Sequence, residues 1–337
     1  MYQDSKEIRP LDWQTLVNEA LRRRKAEKIT QREHAALANV SVPTMADFER
    51  GETSLTLAKA LDILGVVGLV HKPEEINVQN IFVREAFDRW RELINTLPKD
   101  SPACLPHGYF RFDYCLEGIK TINLKLLQNI LTRSVETHYS GWPPFLLGKE
   151  KKNQSYEKGD TIERWIVDKE EVSYPLGQSN DFWRASPQGR MFLIRGYKED
   201  GPDIFTPGSI FDISIPVYRM AEVLLHASHM ANHMPKENNQ QVIVHFRALY
   251  TGLRGRVLRS WSDPNHFLPG EYSSLSSEAL VETTISVEMI QNNLIEVIYP
   301  LASSLYEKFG LIKLEKNLVQ KVLDRLFEFA RKQQTSL

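Results

Sequence analysis

Cysteine is scarce in this chain, and long hydrophobic runs are missing. The 337 residues include two cysteines, Cys104 and Cys115. Two cysteines are too few for a disulfide framework, and a reducing, cytoplasmic environment is expected. No run of apolar residues is long enough to cross a membrane, so no span is predicted. Residues 1–7 are polar and acidic, which argues against a signal peptide.

An excess of charge of either sign is also absent. The chain has 42 Lys and Arg against 43 Asp and Glu, a formal net charge of -1. A protein that is basic all over is therefore excluded, and any binding of nucleic acid must come from a local basic face. The segment from Arg22 to Glu33 is one candidate, because six basic residues there face two acidic ones. A solvated helix face is the alternative interpretation of this charge run.

Two textures of sequence divide the chain, whose length suits two domains. Short helices with tight turns are predicted in residues 1–72, followed by a linker and connecting helix in residues 73–106. From residue 107 to residue 337, short apolar runs separated by Gly, Pro and Asp predict strands. The clearest runs are Thr161–Val167, Met191–Arg195, Ile210–Ile215 and Val242–Tyr250. Helices are predicted at Val78–Leu97, Val217–Met234, Ser286–Phe309 and Leu314–Lys332. The fold class is therefore an all-α N-terminal domain followed by an α+β C-terminal domain.

The first domain carries the signals of two short helices joined by a tight turn. Thr30 and Glu33 have the spacing of a capping box, in which each side chain bonds the backbone of the other residue. Ser41 is a second N-cap, and Gly51 suits the left-handed residue that follows a helix. Two further residues fit the turn and the next helical start, Asn39 and Pro43. This arrangement predicts a helix-turn-helix.

The same segment resembles the phage-repressor and Cro family of DNA-binding domains, also called the XRE family. The matching residues are Ile29-Thr30-Gln31, Ala35, Val40-Ser41, Thr44 and Phe48-Glu49-Arg50-Gly51, and then Leu57, Leu61 and Leu64 in what would be the family's fifth helix. The resemblance implies double-stranded DNA as the partner. The DNA-binding residues it implies are Gln31, Arg32, Ser41, Val42, Pro43, Thr44, Asp47 and Arg50. No cofactor, metal or catalytic residue is expected.

The predicted recognition surface departs from the usual pattern of that family. Val42 and Pro43 have no side-chain donor for a base edge, and Asp47 can only accept a hydrogen bond, as from the cytosine amino group. Arg50 and Thr44 are better suited to phosphate than to bases. We therefore expect sparse direct readout, with contacts to thymine methyl groups and DNA shape contributing more.

The second domain has a resemblance that implies no established chemistry. Four stretches resemble a region found in bacterial proteins behind a Schlafen-like (AlbA-type) ATP-binding domain. They are Gly141–Phe145, Asp181–Arg184, Phe192–Tyr197 and Thr251–Arg256. The ATP-binding domain itself is not visible in this sequence.

Three sets of residues in the second domain allow a functional or a structural interpretation. Glu222, His226, His229 and His233 lie at helical spacing and could converge on zinc, although a polar helix boundary is favoured. Arg247, Arg254, Arg256 and Arg259 could bind phosphate, and the alternative is a surface turn with scattered ion pairs. The aromatics Trp142, Phe145, Trp165, Phe182, Trp183 and Tyr197 could wall a ligand pocket anchored by Arg184 and Arg195, although such residues usually form core.

Two apolar stripes lie near the C-terminus, and they pack either on the domain or on a second copy. One holds Ile290, Leu294, Val297, Leu301 and Leu305, and the other holds Val319, Leu323, Leu326 and Ala330. A second copy has a functional motive, because a helix-turn-helix usually reads two half-sites as a dimer. The sequence thus predicts a homodimeric, non-enzymatic transcription regulator, a repressor, whose second domain dimerises and senses a small-molecule or protein effector. The alternatives are a nucleic-acid-directed effector enzyme of a phage-defence locus and an interaction protein whose motif no longer binds DNA.

Overall fold

The computed structural model describes residues 12–334 except 39, 71–77, 135–142, 148–154, 168–179, 202–204, 238–239, 263–267 and 269. The chain divides into two compact units, Met1–Val78 and Gln79–Leu337. No described helix is both long and apolar enough to cross a membrane.

The first unit has four described helices, α1 (Trp13–Ala26), α2 (Gln31–Leu37), α3 (Val42–Glu49) and α4 (Leu57–Val66). Its core includes Val17 of α1, Met45 and Phe48 of α3, and Ile63 of α4, all at most 1% exposed. The indole of Trp13 meets the Phe48 ring edge-on and donates a hydrogen bond to the Gly51 carbonyl at 2.9 Å. The leucines assigned to the family's fifth helix lie on α4, where Leu64 is buried and Leu57 is 74% exposed.

The second unit is built on a seven-stranded antiparallel sheet. Its order is β2-β3-β4-β5-β1-β7-β9. The strands are β1 (Tyr109–Glu117), β2 (Tyr156–Lys158), β3 (Thr161–Val167), β4 (Asn180–Ala185), β5 (Arg190–Gly196), β7 (Ile243–Thr251) and β9 (Glu278–Ser286). A separate parallel pair joins β6 (Ile210–Asp212) to β8 (Val257–Arg259). This mixture of a sheet and helices confirms the α+β prediction.

Alternate residues of the central strands face two different layers of helices, as the period-two geometry of a strand requires. Trp183 and Leu193 face the main core, whereas Phe182 and Phe192 face a smaller cluster on the other side. The main core is completed by α6 (Leu124–Ser134), α7 (Ile215–His233), α8 (Val287–Asn292), α9 (Leu294–Glu307) and α10 (Lys316–Gln334).

The opposite face of the sheet is covered in part by α5 (Val78–Ile94). Its buried residues Phe82, Ala86 and Trp90 form one cluster with Phe182 and Phe192. The sequence pattern assigns this helix to a connecting segment, but its packing makes it an integral layer of the second unit.

Two predicted elements differ from the structure, and several observed elements are not predicted. The run Ile210–Ile215 is a strand for three residues only, because the carboxylate of Asp212 accepts from the amides of Ser214 and Ile215 and starts α7 there. The predicted helix over Ser286–Phe309 is two helices, broken at Asn293, whose φ of -142° is not helical. The sequence pattern does not predict strands β1, β2, β4, β8 and β9 or helix α6.

The two C-terminal apolar stripes pack on the second unit itself. Every residue of both stripes is buried in this unit; Leu305 of α9 and Leu326 of α10 are examples. Most belong to the main core beside the sheet. These stripes therefore do not form an open surface for a second copy.

Candidate nucleic-acid interface

Helix α2 begins at the predicted capping box. The Thr30 hydroxyl accepts from the backbone N–H of Glu33 at 3.2 Å, and the Glu33 carboxylate accepts from the backbone N–H of Thr30 at 2.8 Å. The backbone N–H and the hydroxyl of Thr30 both donate to the Glu33 carboxylate, and these two hydrogen bonds lower its pKa. The capping box is confirmed, and it sets the first turn of α2. Asn39, predicted to end this helix, lies outside the described residues.

Helix α3 also begins and ends as the sequence predicts. The Ser41 hydroxyl accepts from the backbone N–H of Thr44 at 3.3 Å and lies 2.8 Å from the Thr44 hydroxyl. Pro43 occupies the first turn, where its missing N–H leaves no partner unsatisfied. Gly51 has a φ of +79°, a conformation that disfavours residues with a Cβ.

All eight predicted DNA-binding residues lie at the surface of α2, α3 and their caps. Those classed as exposed are Arg32, Ser41, Val42, Pro43 and Arg50, and those half-buried are Gln31, Thr44 and Asp47. Met45 and Phe48 lie on the opposite face of α3 and are buried. Helix α3 therefore has one face in the core of the first unit and an opposite face at the surface of that unit.

Glu49 joins the first three helices, a role that the sequence analysis missed. The Arg24 guanidinium lies 3.0 Å from one carboxylate oxygen of Glu49, and the Gln31 amide donates to the other at 2.7 Å. Arg24 also donates to the Ile29 carbonyl at 2.9 Å. The side chain of Gln31 is thus held in place by α3, which orients it before any DNA arrives.

Arg50 has acidic neighbours that make its guanidinium less available to a DNA phosphate. Its guanidinium donates to the carboxylate of Asp47, and a second nitrogen lies 3.9 Å from Glu52. The same contact uses one of the two carboxylate oxygens that Asp47 could offer to a cytosine amino group. Both residues keep large exposed fractions, 61% and 42% of their side chains. Solvent therefore weakens the pair, and DNA phosphate can compete for Arg50.

The basic segment contributes less free charge than its composition suggests. Arg22 and Arg23 both bond Glu19, and they lower the pKa of that carboxyl to about 2. Arg23 also donates to the carbonyls of Val67 and Gly68. With Arg24 held by Glu49, three of the six basic residues have internal roles.

Three basic residues of the segment remain open to solvent. Lys25, Lys28 and Arg32 are exposed and form no ion pair within the described part of the chain. Over residues 12–70, eight Lys and Arg are balanced by eight Asp and Glu. Each phosphate contact needs a cation, and DNA affinity rises with the number of phosphates neutralised. With so few unpaired cations, this unit supports a small number of phosphate contacts.

The histidine set of the second unit is divided among separate partners. The buried His226 ring bonds the Tyr114 hydroxyl at 2.9 Å, while Glu222 pairs with Arg219 at 2.8 Å. The His233 ring bonds the backbone carbonyl of His229 in its own helix. Burial lowers the pKa of His226 to about 3. Among the described residues, no group of three or more His, Cys, Asp and Glu is arranged to hold a metal ion.

The arginine set does not form one phosphate site. Arg256 is fully buried, pairs with Asp200 at 2.6 Å and donates to the carbonyls of His107 and Ile210. Arg247 bonds Asp113 on the other face of the sheet. Arg259 lies 3.4 Å from Glu271. The phosphate-binding interpretation of this set is wrong for Arg256, which is part of the core.

The aromatic set is also core for the most part. Phe145 and Trp183 lie in the main core, and Phe182 lies on the opposite face of the sheet. Arg195 is buried with Asp181, which its guanidinium contacts at 2.7 Å. Since these side chains belong to two faces, they do not wall one pocket. Trp142 lies outside the described residues.

Comparisons with known proteins agree with the geometry of the first unit. A family model described as helix-turn-helix matches residues 21–71, which contain α2, α3 and α4. Curated proteins gave no match to the chain. Solved structures gave none either. The N-terminal unit is therefore a helix-turn-helix region, and the match supports binding to DNA.

Proposed function

We propose that this chain is a sequence-specific DNA-binding transcription regulator that acts as a repressor. The observation that carries the proposal is the pair of capped helices α2 and α3, with one face of α3 buried and Val42, Pro43 and Arg50 exposed on the other. A helix held in this way can enter a major groove. The helix-turn-helix match at residues 21–71 supports the same function.

The apolar start of α3 affects how bases are read. Val42 is 43% exposed and offers methyl groups, which suit the methyl group of thymine. Asp47 is engaged by Arg50, so few side-chain hydrogen bonds remain for base edges. We infer that DNA shape and apolar contacts supply much of the specificity.

Genome-wide footprinting with the purified full-length chain tests this function. A few protected sites, including one at a promoter whose transcription falls when the protein is present, are expected. Gln31→Ala should weaken binding to all sequences alike, because Glu49 holds Gln31 at the start of α2 for a phosphate contact and not for base reading. The matched control is Gln128→Ala, because Gln128 is an exposed glutamine on α6 of the second unit. The absence of any protected site would reject the proposal.

A homodimer is part of the proposal, because one helix-turn-helix reads only a half-site. The buried stripes of α9 and α10 leave the dimer to another surface. Sedimentation at micromolar concentration, with and without a two-half-site DNA, measures the state. A monomer that binds each half-site independently would contradict this part and leave DNA binding by single domains intact.

We further propose that regulation involves binding without catalysis. Two of the candidate side chains for an effector enzyme, His226 and Arg256, bond internal partners. Divalent-metal nuclease and nucleotide-hydrolysis assays on the full chain should show no turnover. Turnover that is lost in His229→Ala or Arg254→Ala would favour the effector-enzyme alternative.

A further inference from the structure

A narrow pocket opens beside the start of α7 in the second unit. The space within it and its open mouth is about 340 Å³, most of which is open to solvent. The side chains that matter are Phe110, Tyr197, Glu199, Phe211, Arg219 and Tyr250. They come from β1, the segment after β5, β6, α7 and β7, so residues distant in sequence meet here.

Two buried polar atoms of this pocket have no hydrogen-bond partner among the described residues. They are one carboxylate oxygen of Glu199 and the hydroxyl of Tyr250. Glu199 is 2% exposed and Tyr250 is 1% exposed. The other oxygen of Glu199 accepts from the backbone N–H of Asp212 at 2.9 Å. Buried polar atoms are nearly always satisfied in native proteins, so these two indicate a missing group with donors.

The charges around the pocket show which group would fit. Two of the four nearby carboxylates are neutralised, Asp200 by Arg256 and Glu222 by Arg219. Asp212 is held by N–H and O–H donors alone, from residues 214, 215, 261 and 262. Glu199 and Asp212 therefore lack cationic partners within the described structure.

Among the described lining residues, Lys198 is the one cation besides Arg219, and its ammonium lies near an aromatic ring. The Lys198 ammonium lies 5.4 Å from the centre of the Trp261 ring. One further positive charge would balance Glu199 and satisfy its open oxygen. Aromatic rings line the same space, and their faces favour a cation.

We propose that this pocket binds the ammonium group of a small primary amine, which donates hydrogen bonds to Glu199 and Tyr250. The apolar part of the amine then extends into the open part of the pocket, beside Ile215 and Arg219. The enclosed part of the pocket has room for about one water-sized group, which an ammonium group matches and a bulkier head group does not. As a binding site it stands alone, and only its role as an effector site rests on the proposed regulatory function.

When no amine is bound, the Glu199 carboxyl itself takes up a proton below about pH 7. Burial, followed by the charge of Asp212, raises the pKa of Glu199 to about 7, against the hydrogen bond from Asp212 and the charge of Arg256. Burial, with a smaller contribution from the charge of Glu199, raises the pKa of the neighbouring Tyr197, Tyr250 and Tyr306 hydroxyls. An amine binds the ionised carboxylate, so binding near pH 6 releases a proton. Affinity should rise about tenfold per pH unit up to about 7 and then level off.

Isothermal titration calorimetry of the full-length protein with benzylamine tests the site without DNA. Binding with proton release is expected, detected by repeating the titration in two buffers of different ionisation enthalpy. Glu199→Gln should weaken binding at least tenfold and remove the proton release. Tyr250→Phe should weaken it several-fold, and it serves as the second variant if Glu199→Gln unfolds. Glu117→Gln, on the exposed side of β1, is the control.

Three results would overturn the proposal. They are no heat of binding to the folded protein at about 10 mM benzylamine, equal binding to Glu199→Gln, and equal binding of benzyl alcohol, which carries no charge. Failure of DNA binding is measured separately by footprinting, so the two failures are distinguishable. A change in operator affinity of the wild type, but not of Glu199→Gln, on adding benzylamine would make the pocket an effector site.

Discussion

The two units of this chain differ in the range of the contacts that define their elements. In the helix-turn-helix unit, the hydrogen bonds that begin α2 and α3 join residues three positions apart, Thr30 with Glu33 and Ser41 with Thr44. In the second unit, the Tyr114 hydroxyl bonds a histidine 112 positions away, and Arg256 reaches a carbonyl 149 positions away. Local contacts can be recognised in a sequence, whereas distant contacts exist only once the sheet is formed.

The largest effect is expected from the buried ion pair between β4 and β5. Asp181 contacts Arg195 at 2.7 Å, and both are at most 1% exposed. Burial lowers the pKa of Arg195, and the charge of Asp181 opposes this. Asp181→Ala leaves a buried cation without its acidic partner, and the loss should be about 3–5 kcal/mol. Urea unfolding followed by hydrogen exchange of each unit measures it.

The control for this variant is a pair at the surface. Glu296→Ala removes the partner of Lys316, and both side chains are about half exposed. Its effect on stability should be small, because solvent screens such pairs. The comparison between the units fails if Asp181→Ala loosens α1 to α4 as much as the sheet.

The next largest effect is expected from acid, which should destabilise the second unit through His226. Burial, with a smaller contribution from His229, lowers the pKa of His226 to about 3 in the folded chain. The unfolded chain binds a proton below about pH 6.5 that the folded chain does not. Stability of the second unit is therefore lost as the pH falls, by about 2 kcal/mol between pH 6.5 and pH 5.

Urea unfolding at a series of pH values checks this slope. The difference between the wild type and His226→Gln isolates the histidine, because Glu199 has a raised pKa and contributes the opposite slope. His245→Gln, whose side chain is 42% exposed, is the control. Identical slopes in wild type and His226→Gln would mean that the ring is not held neutral by burial.

The same contrast explains how much of the fold could be predicted. The capping box, the Ser41 cap and Gly51 are local signals, and they place α2 and α3 to within a residue. Strand β5 is predictable because its apolar run from Met191 to Ile194 is continuous. Strand β1 is not, because Arg111 and Asp113 interrupt its apolar run. The buried Asp113 accepts a hydrogen bond from Arg247 of β7 at 2.8 Å and another from Gln79 at 3.1 Å, and no local pattern reveals these distant partners.

Removing a helix cap in the first unit should lower stability by less than changing either buried group, Asp181 or His226, of the second unit. Thr30→Ala removes the hydroxyl half of the capping box, and the expected loss is about 1 kcal/mol from this unit alone. Thr30→Ser should restore most of it. Hydrogen exchange of α2 amides measures the change, with Thr53→Ala in the following exposed turn as the control. An equal loss in Thr53→Ala would show that the cap is not the cause.

The DNA-binding residues show the same division between what is local and what is not. Their positions along α2 and α3 follow from the motif. Their partners do not, since the contact from Gln31 to Glu49 depends on how two helices pack. The pairing of Asp47 with Arg50 spans one helical turn, a spacing at which opposite charges often interact. That spacing could have been used to predict a weakened Arg50.

The smallest effect tests this last contact, and it concerns affinity and not stability. Asp47→Asn removes the carboxylate nearest to Arg50 and frees the guanidinium for phosphate. Binding to non-operator DNA should tighten a few-fold, and its salt dependence should steepen by at most about one phosphate contact. Fluorescence anisotropy across a salt series measures both.

Two further variants show whether the gain comes from Arg50. Arg50→Ala should cancel the gain in the double variant, because the two side chains act as a pair. Arg32→Ala, which removes an exposed cation without an ion pair in the described structure, is the reference for the loss of one full contact. If Asp47→Asn leaves non-operator binding unchanged and weakens only operator binding, Asp47 reads a base, and its pairing with Arg50 is broken on DNA.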